Sequence, residues 1–151
     1  MELPYTQSLL LYAYQASARS LVAALREAGH DGIRPKHGAV FANVDIGGTR
    51  ASLLAERAGI GKPAMGEMVD ELERLGYVRR VPDPGDRRAK LVVPTEAAKA
   101  VTDTVHRFNR ALEAEYRGKL GDGAYEALRA ALLKMTPARD LQPRMPRNDV
   151  D

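Results

Sequence analysis

The chain has 151 residues, 44% of them apolar, which is enough for one well-buried domain and too short for two comfortable ones. A formal charge of +3 and a pI near 9.3 suit an anionic partner without requiring one, so where the charge sits matters more than its total. The absence of cysteine excludes disulfides, thiolate metal sites and thiol redox sensing.

The opening segment, MELPYTQSLLLYAYQASA, contains an Ala16-Ser17-Ala18 triplet of the kind found at signal cleavage sites. No Lys or Arg precedes its apolar part, residues 9–13, and Gln15 soon follows, so the expectation is a cytoplasmic protein without a leader. No apolar run approaches the length that crosses a bilayer, and no membrane partner is expected. Leu10, Tyr14, Ser17, Leu21, Leu25 and Ala28 form a helical stripe instead. Gly29, Gly32 and Pro35 then punctuate the chain. A second helix is expected with Pro35 in its first turn, Val40, Phe41 and Val44 facing inward, and Gly47-Gly48 breaking it.

Thr49 reads as the N-cap of a short helix carrying Leu53, Leu54 and Ala55, which Gly59 ends. Pro63 opens the next helix, whose apolar side is Met65, Met68, Val69, Leu72 and Leu75, and Gly76 closes it. Two hairpin strands are expected at 77–81 and 90–93, with Pro82, Pro84 and Gly85 shaping the connection. Thr95 then caps a long helix bearing Ala98, Val101, Val105, Phe108 and Leu112. A last helix repeats that spacing at Tyr125, Leu128, Leu132 and Met135, and both stripes read as seams for other helices. Residues 136–151, with three prolines among balanced charges, read as a loose tail.

Two helices joined by a tight Gly-containing turn and followed at once by a hairpin make a winged helix-turn-helix. Ala55 falls where the helices approach closely, and Gly59 permits the left-handed turn between them. The expected fold class is therefore mainly α with a small β-hairpin wing. The stretch LLAERAGIGKPAMGEMVDELERLGYVRRVPDPGDRRAKLVVPTEAAKAV, residues 53–101, closely resembles the MarR family of bacterial transcriptional regulators. Asp86-Arg87-Arg88 followed by Thr95 matches that family's wing signature of Asp-x-Arg ending in Leu-Thr, and Gly76-Tyr77-Val78 and Asp83-Pro84 match as well. The resemblance implies a homodimer in which the helices of 1–32 and 95–135 interlock, with a DNA-binding lobe at 35–94. Each subunit would present one recognition helix and one wing to a pseudo-palindromic operator, most often as a repressor released by a small ligand. The chain departs from the pattern at Pro94, where the family has Leu, and at Pro63, Ala64, Gly66 and Glu67 in the recognition helix. Pro94 has no backbone donor, so the second strand is expected to end early or to lie at an edge.

Charge divides the lobe. Residues 61–75 hold two basic and four acidic side chains, a net of −2, whereas residues 77–94 hold five basic and two acidic, a net of +3. DNA affinity comes largely from neutralised phosphates, so the wing is expected to carry most of it. Matching the family's Asp-x-Arg places Arg88 in the narrow minor groove. Asp86 is expected to pair with an arginine and hold the wing tip. Arg80, Arg87 and Lys90 are candidate backbone contacts. In the major groove, Lys62 suits a guanine edge or a phosphate, Glu67 suits a cytosine amino group, and Pro63 and Gly66 lie on the same approach. Thr49 and Ser52 suit phosphates through hydroxyl and backbone donors.

Tyr12, Arg34, His37 and Phe41 are candidate ligand-lining residues, combining aromatic faces with a cation for a small aromatic or anionic effector. His30, His37 and His106 are too scattered for a metal triad, and no phosphate loop or nucleophile pattern is present, so no metal, cofactor or catalysis is expected. The remaining alternative is a winged helix used as a protein–protein module, its acidic helix docking a basic partner.

Overall fold

A computed structural model describes residues 4–137, so most of the expected tail lies outside the described residues. Helix α1 (Thr6–Glu27) leads to a 3-10 turn (Pro35–His37) that runs into α2 (Gly38–Phe41). Helices α3 (Ala51–Ala58) and α4 (Lys62–Arg74) come next, then strands β1 (Val78–Asp83) and β2 (Asp86–Pro94), and finally α5 (Glu96–Leu120) and α6 (Asp122–Met135).

One core serves both the helices and the hairpin. Leu54 of α3, Met65, Val69 and Leu72 of α4, Val78 of β1, Val92 of β2 and Val101 of α5 are all essentially excluded from solvent. Ala55 is buried as its place at the helix crossing requires. Gly59 ends α3 at φ +66°, and the next amide, Ile60 N–H, reaches back to Ala55 O at 3.0 Å. That six-residue closure needs a left-handed residue, which glycine adopts without a Cβ clash. Pro63 sits in the first turn of α4, where no intrahelical donor is lost.

The structure corrects several expectations. The N-cap of α3 is Arg50, and Thr49 instead forms an antiparallel bridge to Val92 with both amide bonds at 2.9 Å. The hairpin thus gains a third strand position at its base. Gly48 makes this possible: at φ +100° it leaves no room for a side chain, since a Cβ would stand 2.9 Å from Val93 Cγ2 and 3.0 Å from Leu91 Cβ. The strands are longer than their apolar runs suggested, because backbone pairing continues through charged residues to Asp83 and Asp86. Pro94 does not shorten β2; it stands at the last register position, opposite Val78, where no further ladder donor is required. Thr95 occupies the N-cap of α5, but its hydroxyl donates to Gly76 O at 2.7 Å, tying the exit of α4 to the start of α5. Leu75 is the C-cap of α4 and is 41% exposed.

Of the two seams foreseen, that of α5 is covered at Ala98 and Val101, and that of α6 is open beyond its buried Tyr125. Leu128, Leu132, Leu133 and Met135 on α6 and Leu9, Leu10, Tyr12 and Tyr14 on α1 are exposed. No described helix is long and apolar enough to cross a membrane.

Candidate nucleic-acid interface

The turn that Gly59 closes aims the first half of α4 outward. Lys62, Pro63 and Glu67 are exposed, and Gly66 is half-buried with nothing within 4 Å of a Cβ built there among the described residues. Internal packing therefore does not demand glycine at 66. Along the other side of α4 the carboxylates are occupied. Asp70 and Glu73 both hold Arg80, at 2.6 and 2.5 Å. Glu71 takes Lys36 Nζ at 2.6 Å and His37 Nε2 at 2.8 Å. Lys36 first and His37 second hold the Glu71 carboxyl down at about 2, against an ordinary 4.5.

This pairing changes the meaning of the charge count. The acids that give residues 61–75 their negative sum are neutralised by neighbours, and Glu67 is the exception among the described residues. Arg80 is likewise withdrawn from the list of free cations: it is three-quarters buried against α4 and bridges two carboxylates, because its strand position faces the helix before it. The expectation that Arg80 meets a DNA backbone is corrected accordingly.

The wing keeps its other cations. Arg79, Arg87, Arg88 and Lys90 are exposed and have no carboxylate within ion-pair distance among the described residues, and the same holds for Lys62. Their presentation rests on two aspartates. Asp83 Oδ1 accepts the Gly85 N–H at 2.8 Å and Asp86 Oδ1 accepts the Arg88 N–H at 3.0 Å, two local bonds that shape the tip. Arg50, at the start of α3, then clamps the hairpin through Asp83 at 2.6 Å and reaches Asp86 at 3.8 Å. The Gly85 N–H, and after it Arg50, hold the Asp83 carboxyl below its usual range. Asp86 does face an arginine, Arg50, but Asp83 takes the shorter bond. Sequence reasoning missed Arg50. Its one signal was that two carboxylates in a basic hairpin need a cation from outside.

Thr49 leaves the candidate surface. It is 2% exposed, and its hydroxyl bonds Asp45 Oδ2 at 3.1 Å and accepts the Asp45 N–H at 2.9 Å. Ser52 is exposed in the first turn of α3, beside Arg50.

A cavity of about 240 Å³ lies between α1, the 33–41 segment and α5. Tyr14, Arg34, Phe41 and Phe108 line it, with Leu21, Leu25, Val101 and Val105 forming an apolar wall. Of the residues expected there, Arg34 and Phe41 are in place. Tyr12 is not, since it projects from another side of α1 than Tyr14. His37 is not either: it is 1% exposed and turned toward α4, on the opposite side of the segment. Among the described residues no cluster of His, Asp or Glu is arranged to hold a metal ion.

Known proteins resemble the chain in this same region. A family model described as MarR family matches residues 31–89, the stretch from the cavity wall to the wing tip. The HTH-type transcriptional regulator YcgE of Bacillus subtilis is 38% identical over 55 residues, a match spanning 36% of this chain and 36% of that protein. The transcriptional regulator HosA of Escherichia coli O111:H- is 27% identical over 105 residues, covering 70% of this chain and 78% of HosA. Among solved structures, the reduced form of MarR from E. coli superposes with a TM-score of 0.74 over 91% of this chain and all of that one, at 23% identity. CouR from Rhodococcus jostii RHA1, solved with p-coumaroyl-CoA bound, superposes with a TM-score of 0.61 at 26% identity, over 84% of this chain and 88% of that one. Fold, wing signature and these matches agree: residues 31–89 match the MarR family model, and the chain as a whole shares the fold of MarR from E. coli.

Proposed function

We propose that this protein is a homodimeric repressor that grips a pseudo-palindromic operator mainly through its two wings and is released by a small ligand. The observation that carries the reading is the unequal state of the lobe's charges. Arg87, Arg88 and Lys90 are exposed on a hairpin stiffened by Arg50, with no carboxylate to occupy them among the described residues. Phosphates are the natural partner of such a group, and a guanidinium at a narrow minor groove gains further from its negative potential. Lys62, Pro63, Gly66 and Glu67 form the face offered to the major groove, where Gly66 leaves space for close backbone approach. Ser52 stands beside this face as a phosphate contact.

Dimerisation is supported by the exposed apolar side chains on α1 and α6, which a second copy would cover. It also supplies two recognition units, set for half-sites about 34 Å apart. The cavity beneath the 33–41 segment is mostly apolar and carries Arg34 at its rim, which suits a small aromatic or apolar body with an anionic group. A docking role for the acidic helix loses its basis, because the carboxylates it would need are held within the lobe.

The test is selection of duplexes from a random pool by the purified protein, followed by titration of the winning sequence at several salt concentrations. The reading expects a palindromic consensus and affinity that falls steeply with salt. Recovery of no enriched sequence, or a flat salt response, would overturn it.

A further inference from the structure

The segment between α1 and α3 has two faces with different jobs. Ile33, Arg34, Pro35, Gly38 and Phe41 belong to the cavity wall. His37, in their midst, turns away and is buried against the recognition helix. Both of its ring nitrogens are engaged. Nδ1 accepts the Arg34 N–H at 3.0 Å, which leaves Nε2 to carry the ring proton and donate to Glu71 Oε2 at 2.8 Å. One imidazole therefore bonds the cavity wall through one nitrogen and the C-terminal half of α4 through the other. Lys36 Nζ doubles the second link, at 2.6 Å from the other oxygen of Glu71.

This is an expensive arrangement for mere packing. A buried imidazole with both nitrogens bonded tolerates little displacement of either partner, since a broken bond leaves a polar atom unsatisfied away from water. An apolar side chain of similar size would fill the same space without that constraint. The ring accordingly behaves as a rigid spacer. A movement of residues 34–38 caused by filling the cavity is passed to Glu71, and with it to the angle at which α4 presents Lys62, Gly66 and Glu67.

We propose that His37 is a positioning residue for the recognition helix, coupling occupancy of the cavity to the reading of sequence through its bond to Glu71. The inference rests on the DNA-binding reading above and assigns its regulation to a specific pair of side chains. Neither His37 nor Glu71 is placed in contact with DNA. Arg80 ties the base of β1 to Asp70 and Glu73 beside Glu71, whereas the wing tip that carries Arg87 and Arg88 is held by Arg50, through Asp83. Sequence discrimination is therefore expected to depend on His37, while general attraction to DNA does not.

That separation supplies the experiment. Wild-type protein is titrated against the duplex it selects from a random pool and against a mixed-sequence duplex, at one salt concentration. His37→Leu is expected to weaken binding to the selected duplex by about tenfold or more while leaving mixed-sequence binding within about twofold. Glu71→Ala severs the same link from the half-exposed side and leaves the buried ring in place, so it carries the test if circular dichroism shows His37→Leu unfolded. Ser17→Leu serves as a built-in occupant, placing apolar bulk in the cavity from the α1 wall. It is expected to lower the selected-to-mixed ratio in the wild-type background and to change it little once Glu71→Ala is present. Equal loss toward both duplexes, or a Ser17→Leu effect of the same size in both backgrounds, would overturn the relay. If the wild type selects a duplex and the variants keep its ratio, the relay alone falls; if it selects none, the DNA-binding reading falls with it.

Discussion

In the recognition helix, Asp70, Glu71 and Glu73 are all spent on neighbouring cations, whereas on the wing Arg87, Arg88 and Lys90 have been left without anions among the described residues. Both regions stand on the same core, a few residues apart in sequence. The difference teaches that a net charge summed along an element does not state what that element offers a partner. Pairing inside the lobe removes the acids of α4 from the balance and removes Arg80 with them. What remains outward is cationic at the wing and nearly neutral at the helix, and the proposed function assigns attraction to the first and fit to the second.

The contrast breaks most completely if the shared core is opened. Leu72→Ala deletes a fully buried side chain beneath both regions and is expected to cost about 2–5 kcal/mol of stability, read by urea unfolding. A loss confined to DNA binding, with unfolding unchanged, would mean the two regions do not rest on one core. The next largest effect falls on the wing. Arg88→Ala is expected to cost about 1–3 kcal/mol of operator affinity with the dimer still folded. Unchanged affinity at fixed salt would remove Arg88 from the interface.

Arg80 sharpens the contrast at a smaller scale. Arg80→Ala is expected to cost about 0.5–1 kcal/mol of stability, a modest figure because Asp70 and Glu73 are well exposed, and to weaken DNA binding by freeing those carboxylates. Adding Asp70→Asn and Glu73→Gln should restore the affinity. Failure to restore it would mark Arg80 as a direct phosphate contact after all. The smallest effect is acid stability. Glu71 holds its proton far less readily in the fold than an ordinary carboxyl, so its stabilisation is fully present above about 4.5 and is lost as pH falls toward about 2. Melting temperatures across that window should fall more steeply for the wild type than for Glu71→Gln; parallel curves would contradict this.

Much of the lobe was legible in the chain, and the failures share a cause. Ala55 and Gly59 could be read because the constraints on them are local: a close crossing, and a turn that requires positive φ. The wing signature could be read because Asp83 and Asp86 act on amides two residues away. Thr49 was misread because a threonine ahead of an apolar run imitates a cap, while its real partner is Val92, brought to it by the tertiary fold. Arg80 was counted as a free cation because its carboxylates lie on the preceding helix, and no local pattern reports that the chain doubles back onto them. His37 was assigned to the correct segment and the wrong face, since the short 3-10 turn gives no periodicity from which to read orientation.

The division of labour is tested most directly by the salt dependence of operator binding in three proteins: the wild type, Arg87→Ala/Arg88→Ala, and Lys62→Met. In a plot of log affinity against log salt, losing both wing arginines from each subunit should make the slope shallower by about 3 to 4, whereas losing Lys62 should change it by no more than about 2. A wing variant that keeps the wild-type slope, or a Lys62 variant that flattens it as much as the wing variant does, would contradict the account.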